Sequence, residues 1–221
     1  MKSIKIIVIS ILLVSCLTLG GLFVWLALLN AHGEKGLSGS WQMQETLDGK
    51  YARNAAREWL SGADMGEQVE IADYIDNPKV SIILTFREDG SWEKRLEKES
   101  YEKAEERARK GLAAAFYELL ALRAAKTGHD GLSQEDASQL MQEATGMNAE
   151  EYFSETGLRL LPPLDELQSF YDSSGTYAVE KDELIWNKAS RYHFLVDDDM
   201  LVIYSDENRD FYEVYKKYAS E

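Results

Sequence analysis

Hydrophobic and polar residues alternate one by one along Val80–Leu96, on both sides of an Asp89-Gly90 pair. Apolar side chains take every second position of Val80–Phe86, and Trp92 continues the pattern after the pair. A period of two is typical of a strand with one buried face, and Asp-Gly between two such runs favours a hairpin with a type I′ turn. The chain is therefore predicted to be organised around an antiparallel sheet that buries one face.

The same alternation returns after Gly175 and continues almost to the end of the chain. It predicts a hairpin from Thr176–Glu180 and Leu184–Asn187, a second pair with Tyr192, Phe194 and Val196 facing Leu201 and Ile203, and a closing strand at Phe211–Tyr218. In the closing strand we expect Phe211 and Tyr215 to be buried, with Val214 as a further candidate. Together with the strands before residue 97, the count is about eight or nine.

Between these two sets of strands, in residues 98–173, apolar residues recur every three or four positions, which is typical of helices. Glu99–Thr127 is predicted to be one long helix. Ser133 with Asp136 predicts a capping box at the start of a second helix, and Asn148 with Glu151 predicts the start of another short helix. Because no linker rich in Pro, Ser or Gly separates residues 98–173 from the strands, we expect a helical insertion within one domain, residues 38–221.

The N-terminus carries a separate signal. Ile6–Leu29 contains 24 residues without a charge, which as a helix is about 36 Å long and exceeds the hydrocarbon core of about 30 Å. Lys2 and Lys5 precede the run, so residues 1–5 are expected in the cytoplasm and the C-terminal domain outside. We predict an uncleaved transmembrane helix at 6–29 of a single-pass cell-membrane protein, with a linker at 30–37.

Two other interpretations of the N-terminus stay open. A cleaved signal peptide has an apolar region of about 7–15 residues and a small-x-small site, whereas Leu29 stands two residues before Ala31. Leu13-Val14-Ser15-Cys16 resembles the lipobox of bacterial lipoproteins, which would make Cys16 a lipidation site, but the following residues stay apolar. All three interpretations place the domain on the extracytoplasmic side.

Composition narrows the possible partners and chemistry. The net charge of −15 disfavours a nucleic-acid partner and is typical of a soluble domain outside a cell. Cys16 is the only cysteine, so neither an internal disulfide nor a Cys-rich zinc site is possible. The three histidines stand in no metal-binding motif, and no catalytic motif is present. We therefore predict no metal, no cofactor and no enzymatic activity.

A Gly-x-aromatic pattern opens three predicted strands, at Gly39-Ser40-Trp41, Gly90-Ser91-Trp92 and Gly175-Thr176-Tyr177. The first tripeptide resembles the Gly-x-Trp opening of lipocalins. The hairpins after Gly175 are similar to the lipocalin-like domains of membrane- or lipid-anchored envelope proteins of Gram-positive bacteria. The resemblance covers Ser38–Leu96 and Gly175–Tyr218. It implies an α+β protein with an antiparallel up-and-down β-barrel and, at most, a non-catalytic pocket for a small apolar molecule.

Aromatic residues at sheet positions form the candidate ligand-binding set. They are Trp41, Phe86, Trp92, Tyr177, Trp186 and Phe194. Such rings can line a pocket for an apolar or sugar-like ligand, but they also commonly fill the core of a small barrel.

The sequence therefore leads to one function and one alternative. The first is a membrane-anchored, extracytoplasmic, non-catalytic domain that binds a small apolar ligand or a cell-envelope component. The alternative is a protein–protein interaction module of the envelope without a small-molecule pocket.

Overall fold

The computed structural model describes residues 36–62, 69–129, 131–205 and 211–219. The predicted transmembrane helix at 6–29, Cys16 and most of the linker at 30–37 lie outside the described residues. Within the described ranges, no helix combines the length and the apolar character needed to cross a membrane.

Eight strands form one closed antiparallel barrel in which each strand pairs with the next along the chain. They are β1 (Gly39–Thr46), β2 (Lys79–Phe86), β3 (Ser91–Leu96), β4 (Ser173–Glu180), β5 (Glu183–Trp186), β6 (Ser190–Asp197), β7 (Met200–Tyr204) and β8 (Tyr212–Lys217). The barrel closes where β8 returns to β1, with Trp41 opposite Lys217. The predicted antiparallel barrel is confirmed.

Five α-helices accompany the strands in the described part of the chain. They are α1 (Lys50–Gly62), α2 (Lys98–Lys126), α3 (Gln134–Thr145), α4 (Ala149–Glu155) and α5 (Leu164–Tyr171), and a single 3₁₀ turn covers Ile71–Asp73. Helices α2–α5 follow β3 and precede β4 in the chain. The predicted capping box at Ser133 with Asp136 is present, and the predicted helix start at Asn148 with Glu151 is confirmed and also has a capping box.

The turn of the β2–β3 hairpin differs from the prediction. A type I′ turn requires positive φ at both central residues, but among Asp89 and Gly90 only Gly90 has it, at 78°. The Gly90 amide donates to the Arg87 carbonyl (3.1 Å), and the Arg87 amide donates to the Ser91 carbonyl (2.9 Å). The loop therefore has three residues, and Gly90 supplies the left-handed position that ends it.

The closing strand also differs in one respect. Tyr215 is fully buried, as predicted, but Val214 is 40% exposed. The reason is the strand period: neighbours along a strand point to opposite faces, so Val214 shares the outer face with Tyr212. The prediction that Val214 is buried is therefore wrong.

The chain divides into two compact units, each described by itself below. We call the described residues of the first (36–42, 84–93, 174–205 and 211–219) the strand unit. We call the second, Met43–Ile83 and Lys94–Ser173, the helical unit. The core of the helical unit packs α1, α2 and α4 through small and aliphatic side chains, with Phe153 fully buried among them. A second cluster joins Val80, Ile82 and Leu96 to the start of α2.

Candidate functional site

The aromatic residues chosen from the sequence lie in the strand unit, and four of them contact one another. The ring of Phe86 lies 4.9 Å from that of Tyr177 and 5.9 Å from that of Trp186, and the rings of Trp92 and Trp186 are 4.4 Å apart. All three contacts are edge-to-face, the arrangement that the charge distribution of aromatic rings favours.

The polar atoms of two rings in this cluster are hydrogen-bonded within the protein. The indole N–H of Trp92 donates to Asn187 Oδ1 (3.3 Å), and the Tyr177 hydroxyl donates to the Arg87 carbonyl (2.9 Å). Asn187 Oδ1 also accepts from the Thr176 amide (3.0 Å). Rings that meet edge-to-face and bond to fixed partners are typical of a filled core.

The other two predicted residues lie elsewhere in the strand unit. Trp41 is fully buried, and its indole N–H donates to the Leu37 carbonyl (2.8 Å). The Lys217 ammonium lies 4.1 Å from the centre of the Trp41 ring, a cation–π contact, and partial burial lowers the pKa of Lys217. Phe194 is half-buried and faces Ile203 across the β6–β7 pair. Ligand binding by these six residues stays a prediction.

The helical unit contains a large open groove of about 960 Å³ between four helices. Its lining is mostly apolar and comes from α1 (Trp59), α2 (Phe116, Leu120, Ala124), the α2–α3 connection (Leu132), α3 (Ala137, Leu140, Met141, Ala144) and α4 (Tyr152). On α2 the lining residues stand three or four positions apart, so the helix presents one continuous face to the groove.

Aromatic rings form one side of this groove. Trp59 contacts Phe116 at 5.9 Å, Tyr152 at 6.2 Å and Phe153 at 4.7 Å between ring centres, each edge-to-face. Phe153 is fully buried behind the others, whereas Trp59, Phe116 and Tyr152 are half-buried and line the groove. The rings are therefore fixed from behind and accessible from the front.

Helix α3 forms the opposite side. Its first turn is fixed by the capping box, in which the Ser133 hydroxyl accepts from the Asp136 amide (3.1 Å), and Gly146 ends the helix with φ of 80°. Ala137 is fully buried, but Leu140 is 54% exposed although it lines the groove. An apolar side chain open to water beside other apolar side chains is typical of a binding surface.

The polar lining residues offer little for chemistry. The hydroxyl of Thr127 donates to the Ala124 carbonyl (2.9 Å) and that of Thr145 to the Met141 carbonyl (2.8 Å), so both are bonded to their own helices. Glu58 and Arg123 add one charge of each sign. In the part of the chain that the structure describes, no group of three or more His, Cys, Asp or Glu side chains could hold a metal ion. This arrangement is suited to holding an apolar molecule.

The groove is not among the sites that the sequence predicts. The sequence predicts that the helices of residues 98–173 bury their apolar stripes, and Trp59 is not among the candidate site residues. The sequence feature that coincides with the groove is the apolar stripe on α3 with Leu140, Met141 and Ala144, but the stripe alone does not show that it stays uncovered.

No family model, no curated protein and no solved structure matched the chain in the three comparisons with known proteins.

Proposed function

We propose that the protein is a membrane-anchored, non-catalytic binding protein of the cell envelope that holds a small apolar molecule in the groove of its helical unit. The observation that carries this proposal is the groove itself: about 960 Å³, with aromatic rings on one side and exposed aliphatic side chains on the other. The proposal keeps the ligand class expected from the sequence and assigns it to a different set of residues.

The size and lining of the groove support a small molecule as its occupant. Pockets for small ligands measure about 300–1,000 Å³ and are lined mainly by hydrophobic and aromatic side chains with a few polar groups. The groove agrees with this description in both its volume and its lining. Met141 adds an unbranched, adaptable side chain that fits apolar molecules of different shapes. The titration with N-phenyl-1-naphthylamine distinguishes a small molecule from a peptide helix as the occupant.

The location rests on the sequence. The 24-residue apolar run at Ile6–Leu29, with lysines before it and acidic residues in the rest of the chain, supports a single transmembrane helix with the domain outside. The resemblance to lipocalin-like envelope proteins supports an extracytoplasmic domain as well. The closed eight-stranded barrel agrees with that resemblance.

A titration with N-phenyl-1-naphthylamine, a neutral apolar fluorophore, tests the groove. The full-length protein in detergent is expected to raise the probe's fluorescence in a saturable way. Ala144→Trp fills the groove from an exposed position on α3, and we expect it to weaken binding by about tenfold or more. The matched control is Ala125→Trp, since Ala125 is exposed on α2 and does not line the groove; its affinity should change by no more than about twofold.

Equal affinities for wild type and Ala144→Trp would contradict the proposal. Probe binding that is lost in both tryptophan variants would contradict it as well, because the effect would not depend on the groove. If the groove instead holds a peptide helix, the probe will not saturate at one molecule per chain, and the small-molecule proposal fails.

A further inference from the structure

The outer face of strands β6, β7 and β8 is unusually apolar. The strand register groups its outward positions into three rows: Asp197, Met200 and Lys216; Leu195, Val202 and Val214; His193, Tyr204 and Tyr212. Only the first row contains charged residues. The exposed fractions of Leu195 (60%), Tyr212 (65%) and Val214 (40%) show that these side chains face outward. The outer side of an antiparallel sheet is normally polar, so this face differs from the usual pattern.

Polar groups border this face on the β5 side. Arg191 donates to the Glu183 carboxylate at 2.6 Å, and both residues lie on the outer side of the sheet. Within the face, the rings of His193 and Tyr204 stack at 5.3 Å. Three strands and three rows cover roughly 300 Å² at ordinary strand spacings. The largest apolar patch on a monomer is typically about 300–600 Å² and is often functional, so this face is a candidate interaction site.

The two opposite charges of the first row make this face complementary to a second copy of itself. Asp197 and Lys216 stand at opposite corners, with Met200 between them. If a second copy packs against this face about a two-fold axis along β7, β6 of each copy faces β8 of the other. Each Asp197 then meets a Lys216, and each Leu195 meets a Val214. A two-fold axis across the strands would instead set Lys216 against Tyr212, with no carboxylate opposite.

The position of Gly36, near the predicted membrane helix in sequence, is compatible with the two-fold axis along β7. Gly36 packs beside Val196: a Cβ at Gly36 would lie 3.3 Å from Val196 Cγ1, next to Asp197. A two-fold axis along the strands keeps this end of both copies on the same side. Both apolar N-terminal runs can then enter one membrane, a point that rests on the anchor in the proposed function.

We propose that the outer face of β6–β8 is a self-association surface, which pairs with a second copy of this chain about a two-fold axis along β7. A face of roughly 300 Å² per copy is well below the ~800 Å² per partner of stable complexes, so association in dilute solution is weak. Anchoring both copies in one membrane raises their effective concentration and favours the pair.

Cross-linking tests whether this face pairs with a second copy. Val202 lies at the centre of the face. In a full-length Cys16→Ser background, two copies of Val202→Cys in vesicles should therefore be joined by a short bis-maleimide reagent, which bridges thiols that face each other across sheets packed about 10 Å apart. The matched control is Ala178→Cys, because Ala178 is exposed on the outer side of β4 and outside the proposed surface. We expect several-fold more cross-linking at position 202 than at 178. Equal yields, or none at 202, would overturn the proposal.

Charge reversal in the Val202→Cys protein tests the pairing. Asp197→Lys and Lys216→Asp should each lower the dimer yield, because each places like charges opposite one another at two corners. The double variant should restore the yield. If it does not, the axis along β7 is wrong. If brominated lipids quench a fluorophore on position 202 and no dimer forms, the face contacts the membrane and the proposal is overturned.

Self-association and probe binding can be tested independently of each other. Ala144→Trp should leave the cross-linking yield unchanged, and the charge variants should leave probe affinity unchanged. Flotation of the protein with vesicles tests the anchor independently of both.

Discussion

The strand unit and the helical unit both contain a cluster of aromatic rings in edge-to-face contact, and the cluster of the helical unit lines a groove of about 960 Å³. In the strand unit, Phe86 is 1% exposed and its ring meets Tyr177 and Trp186, whose neighbours include Trp92. In the helical unit, Trp59 packs on the buried Phe153 and lines a groove whose far side contains an exposed leucine. The same ring geometry therefore occurs around a buried phenylalanine in one unit and along an open groove in the other.

This difference shows that aromatic content alone does not identify a ligand site. Rings whose faces and edges are covered by other rings contribute mainly to stability, because a ligand would have to displace them. Rings covered on one side only leave apolar area that an added molecule can bury. The relevant observation is therefore which apolar side chains lack neighbours.

The largest expected effect comes from removing the buried ring of Phe86 in the strand unit. Phe86→Ala should lower the free energy of unfolding by about 3–5 kcal/mol, because it leaves a cavity among packed rings. Leu140→Ala, on the open side of the groove, should cost no more than about 1 kcal/mol. Denaturant unfolding of both full-length variants in detergent measures the two values. Similar losses would contradict the distinction between a filled core and an open groove.

The next prediction concerns how closely the chain packs inside the helical unit. A Cβ at Gly111, within α2, would lie 2.2 Å from the Tyr74 carbonyl oxygen. Gly111→Ala should therefore destabilise by about 1–3 kcal/mol, although alanine favours helices. Gly62 lies at the end of α1 beside the groove, and nothing lies within 4 Å of a Cβ there, so Gly62→Ala should be neutral or slightly stabilising. Thermal unfolding of the pair gives the sign, and a stabilised Gly111→Ala would refute this packing.

A smaller effect is expected at the start of α3, which carries one side of the groove. Ser133→Ala removes the hydroxyl that caps the helix and should cost about 1 kcal/mol. Fraying of α3 should also weaken binding of the naphthylamine probe, since Leu140 and Met141 lie on this helix. Calorimetry and the probe titration measure the two effects. Unchanged affinity with lowered stability would indicate that α3 contributes little to the groove.

The smallest expected effect is a pH dependence of the same cap. The Asp136 carboxylate accepts from the Ser133 hydroxyl (2.6 Å) and amide (3.0 Å), and these hydrogen bonds lower the pKa of Asp136 below its ordinary value of 3.8. Its contribution to stability is therefore present above that pH and is lost as the pH falls through the lowered pKa. Asp136→Asn should lower the melting temperature at pH 7, and the difference should shrink below about pH 3.8. A difference that is as large at pH 2 as at pH 7 would contradict this cause.

Local signals in the sequence predicted the fold well. The pairing of Tyr177 with Trp186 and of Val196 with Leu201 follows from period-two alternation and a short turn, and the structure has both pairs. The capping box at Ser133 is equally local. The turn at Asp89-Gly90 was predicted in the right place with the wrong type, because Asp-Gly fits both a two-residue loop and the end of a three-residue loop.

The groove and the apolar outer face could not be predicted in the same way. Periodicity shows which side of a helix or strand is apolar, but not whether another element covers that side. Leu140 stands in the apolar stripe of α3, where burial is a reasonable expectation, yet it is 54% exposed. Whether an apolar side chain is covered depends on the packing of distant segments, which the local pattern does not contain.

The most direct test of the central claim is photolabelling with an apolar diazirine probe, followed by peptide mapping of the full-length protein. The account predicts adducts in the helical unit, on α1 near Trp59 and on α3 near Leu140 and Met141, and their loss in Ala144→Trp. Adducts concentrated on Tyr177–Phe194 of the strand unit would contradict it and would show that the barrel interior, rather than the groove, holds the ligand.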